Sequence, residues 1–205
     1  FGDQATIDDV ITQIKAIGVD VDYHGADMSN PEEIEDLIKT TETRFGSLDI
    51  LINNAGIQFT AKVEDFPVNR WDAIIAINLS SAFHTTHHAL PGMQARNWGR
   101  IINIASVHGL VGSPNKSAYV AAKHGIVGMT KVIALENAKT GVTCNAICPG
   151  WVLTPLVSRA LCGRAIVARL SCAPQRSLLS DIFCARYKLT PLSPPYLFPS
   201  GTKAN

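Results

Sequence analysis

Residues 100–123 read RIINIASVHGLVGSPNKSAYVAAK, a stretch that combines an apolar strand with the start of a helix. The apolar run before Ser106 predicts a buried strand and places the Ser106 hydroxyl at its carboxyl end, where ligands bind in open α/β sheets. Tyr119 and Lys123 are four residues apart, so in a helix over 117–138 their side chains share one face. The stretch therefore predicts a parallel α/β sheet with three polar side chains near its ligand-binding edge.

These three side chains are suited to moving a proton to or from an alcohol or a ketone. A lysine ammonium beside a phenol favours the phenolate and lowers the phenol's pKa from its ordinary value of about 10. A phenol with a lowered pKa can exchange a proton with a reacting hydroxyl. A Tyr-x-x-x-Lys pair taken alone is more often a chance pair of surface neighbours, so the interpretation depends on the rest of the sequence.

The rest of the sequence alternates between strand and helix patterns. Asn30 followed by Pro31 is typical of a helix start, with the asparagine as N-cap and the proline at the first helical position. We expect helices over 6–17, 31–44, 69–88 and 117–138, and strands at 19–24, 48–53, 100–105 and 142–147. Strands alternating with helices predict a doubly wound parallel sheet with helices on both faces.

Further motifs follow the predicted strands in a definite order. The sequence NNAG at 53–56 follows one strand, and PGW at 149–151 closes another. Asn78 lies in the predicted helix between the strands at 48–53 and 100–105. Four independent signals in this order carry much more weight than the Tyr and Lys pair alone.

In this order the motifs resemble the short-chain dehydrogenase/reductase family, which has a doubly wound parallel sheet and a nicotinamide cofactor. The family's catalytic tetrad falls on Asn78, Ser106, Tyr119 and Lys123, and the 13-residue spacing from Ser106 to Tyr119 is the family's own. Within the family the chain is most similar to the soluble (R)-3-hydroxybutyrate dehydrogenases. That resemblance is carried by NAGIQ at 54–58, EDFP at 64–67, ASVHGL at 105–110, NKSAYVAAKHG at 115–125 and AICPGWVLTPL at 146–156.

The resemblance implies an NAD-dependent oxidoreductase that converts 3-hydroxybutyrate to acetoacetate. It implies that Tyr119 carries the proton and that Lys123 keeps this phenol deprotonated and binds the nicotinamide ribose. It also implies that Asn78 anchors a water in the proton path. Ser106 would donate a hydrogen bond to the substrate oxygen. The implied cofactor-binding residues are Asp27, Met28, Asn54, Ala55, Gly56, Tyr119, Lys123, Pro149 and Gly150. Asp27 would contact the adenine, NNAG would support the sheet near the adenosine, and NADP remains an alternative to NAD.

The resemblance also implies a site for the substrate's carboxylate, since burying an unpaired charge is costly. The implied substrate-binding residues are Gln58, Ser106, His108, Lys116, Tyr119 and Trp151. Lys116 and His108, each taken alone, are more typical of exposed loop residues, and only their company with the tetrad favours an anion clamp. A further family position, a glutamine, corresponds to Ala160, so the clamp is expected to be incomplete.

Two parts of the family pattern are missing. No Gly-x-x-x-Gly-x-Gly run occurs in the 205 residues, so we expect the sheet to lack its first strand–helix unit and the chain to be a fragment. Residues 1–157 carry 11 Lys and Arg against 16 Asp and Glu, whereas 158–205 carry 7 against 1. We expect 1–157 to be a partial dinucleotide-binding and catalytic domain, and 158–205 to be a divergent, Pro-rich basic tail without the family's last strand.

The origin of the tail has two readings. A shifted reading frame, a retained intron or a faulty gene model explains its composition, and a genuine basic tail that binds acidic partners is the alternative. The latter is less favoured, because its charges are scattered among apolar residues.

Other functions stay open beside the favoured one. One is another reductase of the family, such as an NADPH-dependent 3-oxoacyl thioester reductase, and another is an inactive fragment that acts only through subunit association. We expect a small hydroxy acid or keto acid as substrate, no nucleic acid, no membrane, a homo-oligomeric parent and a cytoplasmic location. We expect no metal, because Cys144 and Cys148 lack ligand spacing and His84 and His88 lack a third ligand.

Overall fold

The computed structural model describes residues 3–150 and the backbone of one further strand at 182–185. Within these residues, five helices and four strands form the framework. They are α1 (Gln4–Ala16), α2 (Pro31–Phe45), β1 (Ile50–Asn53), α3 (Val68–Ile75), α4 (Ser81–Ala95), β2 (Gly99–Ile104), α5 (Ser117–Glu136), β3 (Val142–Pro149) and β4 (Ile182–Ala185). A π-helical turn over Ala76–Ser80 joins α3 to α4, and 3-10 turns lie at Val63–Asp65 and Val107–Gly109.

The sheet has the order β1-β2-β3-β4, and its first three strands are parallel. Leu51 pairs with Ile101, which pairs with Cys144, so the three strands are in close register. This parallel sheet with flanking helices confirms the predicted Rossmann-like α/β class. Parallel strands end at one common edge, and the polar motifs that follow them are brought together there.

Helices α4 and α5 pack on one face of this sheet. Leu51, Ile101 and Cys144 point into a buried cluster with Ala89 and Met93 of α4. Ile50 and Ile52 alternate with Leu51 along β1 and are 53% and 56% exposed. Alternate residues of a strand face opposite sides, so the exposed pair marks the face turned away from α4 and α5.

A buried polar network ties the sheet to these two helices. Asn53 donates from Nδ2 to Oδ1 of Asn103 at 2.8 Å, and Thr85 of α4 donates to Oδ1 of Asn53 at 2.7 Å. Asn103 in turn donates to Oγ1 of Thr130 of α5 at 2.8 Å. Fully paired amides at the ends of β1 and β2 hold the start of the NNAG loop at a fixed place, because a buried polar group without a partner is costly.

The predicted strand at 19–24 is wrong. The structure has no regular element between α1 and α2, and Val19 and Tyr23 are 52% and 46% exposed. The local apolar pattern is typical of a strand, but a strand forms only with a hydrogen-bonded neighbour. Among the described residues, β1 pairs with β2 alone.

The predicted single helix at 69–88 is divided into three parts. The π-helical turn Ala76–Ser80 interrupts it and carries Asn78 at its centre. Turns of this kind are rare and frequently lie at functional sites. Here the side chain of Asn78 bonds to a distant backbone segment, which is a tertiary contact that helical periodicity does not reveal.

One strand of the 158–205 tail joins the sheet. β4 pairs with β3 in antiparallel register, from Ala146 opposite Ala185 to Pro149 opposite Ile182. It covers the edge of β3 that would otherwise present unpaired backbone groups. It is not the parallel closing strand of the family pattern, and the domain boundary at 157 stays a prediction.

Candidate active site

The centre of the site is a buried lysine on α5. Lys123 is only 4% exposed, and its ammonium donates to the main-chain oxygen of Ile104 at 2.6 Å. The ammonium also lies 5.7 Å from the centre of the Tyr119 ring, one helical turn away. Burial lowers the pKa of Lys123 to about 8, and the nearby Cys148 thiol partly opposes that shift. The amine is therefore mostly protonated at neutral pH and titrates close above it.

A short turn after β2 brings two more polar side chains to this lysine and tyrosine. Ser106 caps the turn Val107–Gly109, and its hydroxyl oxygen accepts from the N–H of His108 at 3.2 Å. The same oxygen lies 3.4 Å from Nδ1 of His108. The His108 ring meets the Tyr119 ring edge to face, with 6.0 Å between centres. The structure thus gathers the hydroxyl, the imidazole and the phenol at one place.

Lys116 supplies a second cation at the start of α5. The residue before it, Asn115, has a left-handed backbone with φ of 62°, and its C=O accepts from the N–H of Ala61 at 3.0 Å. Lys116 itself forms an isolated parallel bridge with Ala61, three residues after Gln58. Partial burial lowers the pKa of Lys116. Burial, and then the charge of Lys116, lower the pKa of His108.

Asn78 is fully buried, and its side-chain amide is fully engaged. Its Oδ1 accepts from the N–H of Ile57 at 2.8 Å, and its Nδ2 donates to the C=O of the same residue at 2.9 Å. Gly56 lies directly against this amide. The side chain of Asn78 therefore fixes the loop that follows β1, while the predicted role in anchoring a water stays a prediction.

Five of the residues predicted to hold the cofactor lie along the carboxyl edge of the three parallel strands. Asn54, Ala55 and Gly56 follow β1 and are exposed, and Pro149 and Gly150 lie at the end of β3. Ser106 follows β2 between them. This arrangement is the one in which doubly wound sheets bind nucleotides.

Asp27 and Met28 lie before α2, away from the catalytic cluster in sequence. The exposed Asp27 carboxylate accepts from both the N–H and the hydroxyl of Ser29, each at 2.8 Å, and these bonds lower its pKa. Met28 is half-buried. The carboxylate is thus fixed as an acceptor, which is what an adenine amino group requires. Trp151 lies outside the described residues.

The chemistry of these donors fits the nicotinamide half of a dinucleotide. An ammonium has three N–H donors, and the bond to Ile104 takes one from Lys123. The remaining donors suit ribose hydroxyls. Within residues 3–150 no group of three or more His, Cys, Asp or Glu side chains is arranged to hold a metal ion. No helix in the described part of the chain is long and apolar enough to cross a membrane.

Sequence reasoning missed several residues that hold the site together. They are Ile57, Thr85, Asn103, Ile104, Gly109 and Thr130. Ile57, Ile104 and Gly109 act through backbone groups or a missing side chain, which a side-chain motif does not reveal. Polar residues inside otherwise apolar elements, such as Asn103 in β2, are the signal that could have indicated Thr85, Asn103 and Thr130.

Comparison with known proteins identifies the class. The profile of the short chain dehydrogenase family matches residues 2–162. The chain belongs to this family, whose members are oxidoreductases that use a nicotinamide cofactor.

The chain is also similar to individual proteins of this family. The chain is 66% identical to a D-beta-hydroxybutyrate dehydrogenase of Cupriavidus necator over 148 residues, which are 72% of this chain and 57% of the relative. It is 62% identical to a protein of the same name from Rhizobium meliloti over 139 residues, 68% of this chain and 54% of the relative. A 3-oxoacyl-(acyl-carrier-protein) reductase of Staphylococcus aureus is 38% identical over 155 residues, 76% and 63% respectively. The chain spans about half the length of the hydroxybutyrate dehydrogenases it matches.

Proposed function

We propose that the chain carries the catalytic part of an NAD-dependent oxidoreductase that acts on the 3-hydroxyl of a short hydroxy acid, converting 3-hydroxybutyrate to acetoacetate. The observation that carries this proposal is the position of His108 against Ser106 and Tyr119, with Lys123 one helical turn from that tyrosine. The charge of Lys116 also acts on His108. In this proposal a proton-transfer group, Tyr119, lies next to an anion-binding group that includes His108. The similarity to two D-beta-hydroxybutyrate dehydrogenases supports the same substrate class.

In this proposal Tyr119 carries the proton of the reacting hydroxyl. The phenolate accepts that proton on oxidation and the phenol returns it on reduction. Lys123 stabilises the phenolate with its charge, and the carbonyl of Ile104 holds the ammonium in place at 2.6 Å. The bound nicotinamide supplies the hydride chemistry. The protein's contribution is the proton and the alignment of the reacting groups.

Ser106 stabilises the substrate oxygen. Its oxygen accepts from the N–H of His108, and its hydroxyl hydrogen is available to the substrate oxygen when Nδ1 of His108, 3.4 Å away, carries the imidazole proton. A donor held in advance at the place where charge develops lowers the barrier more than one that must reorient. Asn78 would support the same site by fixing the loop at Ile57 and by its proposed place in the proton path.

The clamp for the substrate's carboxylate consists of Lys116, His108 and Gln58. The lowered pKa of His108 favours the neutral imidazole, which can donate one hydrogen bond, while Lys116 supplies the charge. Trp151 belongs to the same proposal and lies outside the described residues. A cation with hydrogen-bond donors favours a free acid, whose carboxylate it can pair, over a thioester, which has none.

We assign NAD as cofactor on the family likeness, with NADP as the alternative. Asp27 and Met28 would contact the adenine, and the 54–56 loop and Pro149–Gly150 would line the remainder. In the intact parent we propose a homo-oligomer, supported by exposed apolar residues on α4 and α5: Phe83, Val132 and Leu135. The cytoplasm is the proposed location, and neither nucleic acid nor membrane is part of the proposal.

The rival reaction is reduction of a 3-oxoacyl thioester, which the similarity to the Staphylococcus aureus reductase favours. Initial rates with NAD and 3-hydroxybutyrate are compared with rates with NADP and the 3-hydroxybutyryl thioester. We expect the free acid with NAD to be the better pair by kcat/KM. Preference for the thioester would contradict the proposal. If neither pair is turned over and nicotinamide does not bind, the proposal fails, whereas tight nicotinamide binding excludes a fragment that acts only through subunit association.

A further inference from the structure

Gly109 closes the turn that carries His108 and follows Ser106. It is buried, and a Cβ built on it would lie 2.6 Å from the main-chain oxygen of Lys123 and 3.0 Å from Cγ2 of Val127. Real Cβ atoms essentially never approach other atoms closer than 3.0 Å. A main-chain oxygen inside a helix cannot swing aside as the end of a side chain can. The turn therefore lies against α5 at a distance that only glycine allows.

This close approach positions the two polar residues of the turn. The N–H of Gly109 donates to the C=O of Ser106 at 2.8 Å, which closes the turn. Only Val107 and His108 lie between Ser106 and Gly109, so a displacement at Gly109 moves the whole turn. Both the hydroxyl of Ser106 and the ring of His108 would then change their distance from α5.

We propose that Gly109 is a positioning residue, whose missing side chain sets the distance from the Ser106–His108 turn to the Tyr119 phenol. The inference rests on the proposed function for its catalytic meaning, while the geometry it describes is measurable without turnover. Gly109 touches neither substrate nor cofactor in this proposal. It acts through Ser106 and His108.

Space at Gly109, and not backbone freedom, is what the site requires. Among glycines of the described residues, positive φ is found at Gly18 and Gly46. Alanine can therefore adopt the backbone of Gly109, and Gly109→Ala tests the added methyl group alone. Gly112 provides a matched control, because it lies in the same loop and no atom lies within 4 Å of a Cβ built on it.

The test compares Gly109→Ala with Gly112→Ala in the full chain. The titration of the His108 ring is followed by NMR, with its signal assigned from His108→Asn. We expect the pKa of His108 to rise toward its ordinary value in Gly109→Ala, because the ring moves out of its burial and away from Lys116. Gly112→Ala should leave the titration unchanged. An unchanged His108 titration in a folded Gly109→Ala overturns the proposal, whatever its melting temperature.

Turnover gives the second readout. A shift of about 1 Å in catalytic groups can cost about 100-fold in rate. We expect Gly109→Ala to lower kcat for 3-hydroxybutyrate on that order and to leave KM for NAD nearly unchanged. A native kcat in the folded variant overturns the proposal. If the His108 titration shifts but the wild-type chain does not oxidise 3-hydroxybutyrate, the proposed function fails and the positioning geometry stands.

A second variant decides the matter if Gly109→Ala does not fold. Val127→Ile adds one methylene to the side chain that faces Gly109, a small enlargement of a buried position. It presses on the same turn from α5 while Gly109 stays in place. We expect the same rise in the pKa of His108, and no change in the folded variant overturns the proposal.

Discussion

The ammonium of Lys123 lies 5.7 Å from the centre of the Tyr119 ring and donates to the main-chain oxygen of Ile104 at 2.6 Å. The helix supplies the spacing of the cation and the phenol, and the end of β2 supplies the acceptor that holds the cation. The charge is thus fixed between a helix and a strand, in a place where burial makes it costly. A main-chain oxygen holds the ammonium, so the position of the charge does not depend on a flexible side-chain partner.

The first prediction concerns the stability of the fold against pH. Burial lowers the pKa of Lys123 from its ordinary 10.5 to about 8, so between these values the unfolded chain binds more protons than the folded one. Stability therefore rises with pH from about 8 to 10.5, as the buried amine loses its charge. A shift of this size corresponds to roughly 3 kcal/mol.

Urea unfolding of wild type and Lys123→Met measures this effect. We expect the free energy of unfolding of wild type, measured relative to that of the variant, to increase as pH rises from neutral toward 10.5. The comparison cancels groups that titrate equally in both proteins. A difference that stays constant over this range would show that the amine is not perturbed by burial.

The second prediction concerns the carboxylate clamp. Lys116→Ala removes a charge-assisted hydrogen bond of about 1.5–3 kcal/mol, so KM for 3-hydroxybutyrate should rise about 10- to 100-fold while kcat changes little. The methyl ester of the substrate lacks the carboxylate and provides the control. We expect the variant and wild type to handle the ester alike; an equal loss on acid and ester would contradict a role in binding the carboxylate.

The third prediction concerns the polar network across the sheet. Asn103→Leu leaves Nδ2 of Asn53 without its acceptor, whereas Thr130 keeps its bond to the main-chain oxygen of Ile126. An unpaired buried polar group costs about 1–3 kcal/mol. Thermal unfolding should show a clear loss of stability. Asn69→Leu, on the exposed start of α3, is the control and should change it little. Equal effects of the two substitutions would mean that the network does not stabilise the fold.

The local sequence pattern was sufficient to predict much of this fold. The helix predicted over 117–138 is α5, Ser117–Glu136, and the strands predicted at 100–105 and 142–147 are β2 and β3. These elements are apolar runs with residues buried at regular spacing, every second residue in β2 and β3, a pattern that local sequence can indicate. The strand predicted at 19–24 failed because the existence of a strand depends on a neighbour, about which its own residues carry no information.

Only the part of the candidate site that is formed by side chains could be predicted from the sequence. The spacing of Tyr119 and Lys123 follows from the helix, but the carbonyl of Ile104 that holds the lysine is a backbone group. The π-helical turn at Asn78 arises from bonds to Ile57, 21 residues away in sequence. Contacts of this kind depend on the packing of whole elements.

The most direct test of the account is the turnover of Tyr119→Phe with 3-hydroxybutyrate and NAD. The variant keeps the ring that His108 contacts and removes only the hydroxyl. We predict that the variant binds NADH as wild type does and loses turnover by about 10²- to 10⁴-fold, the usual contribution of a general acid or base. Turnover within a few fold of wild type, with the fold intact, would contradict the assignment of Tyr119 as the proton carrier.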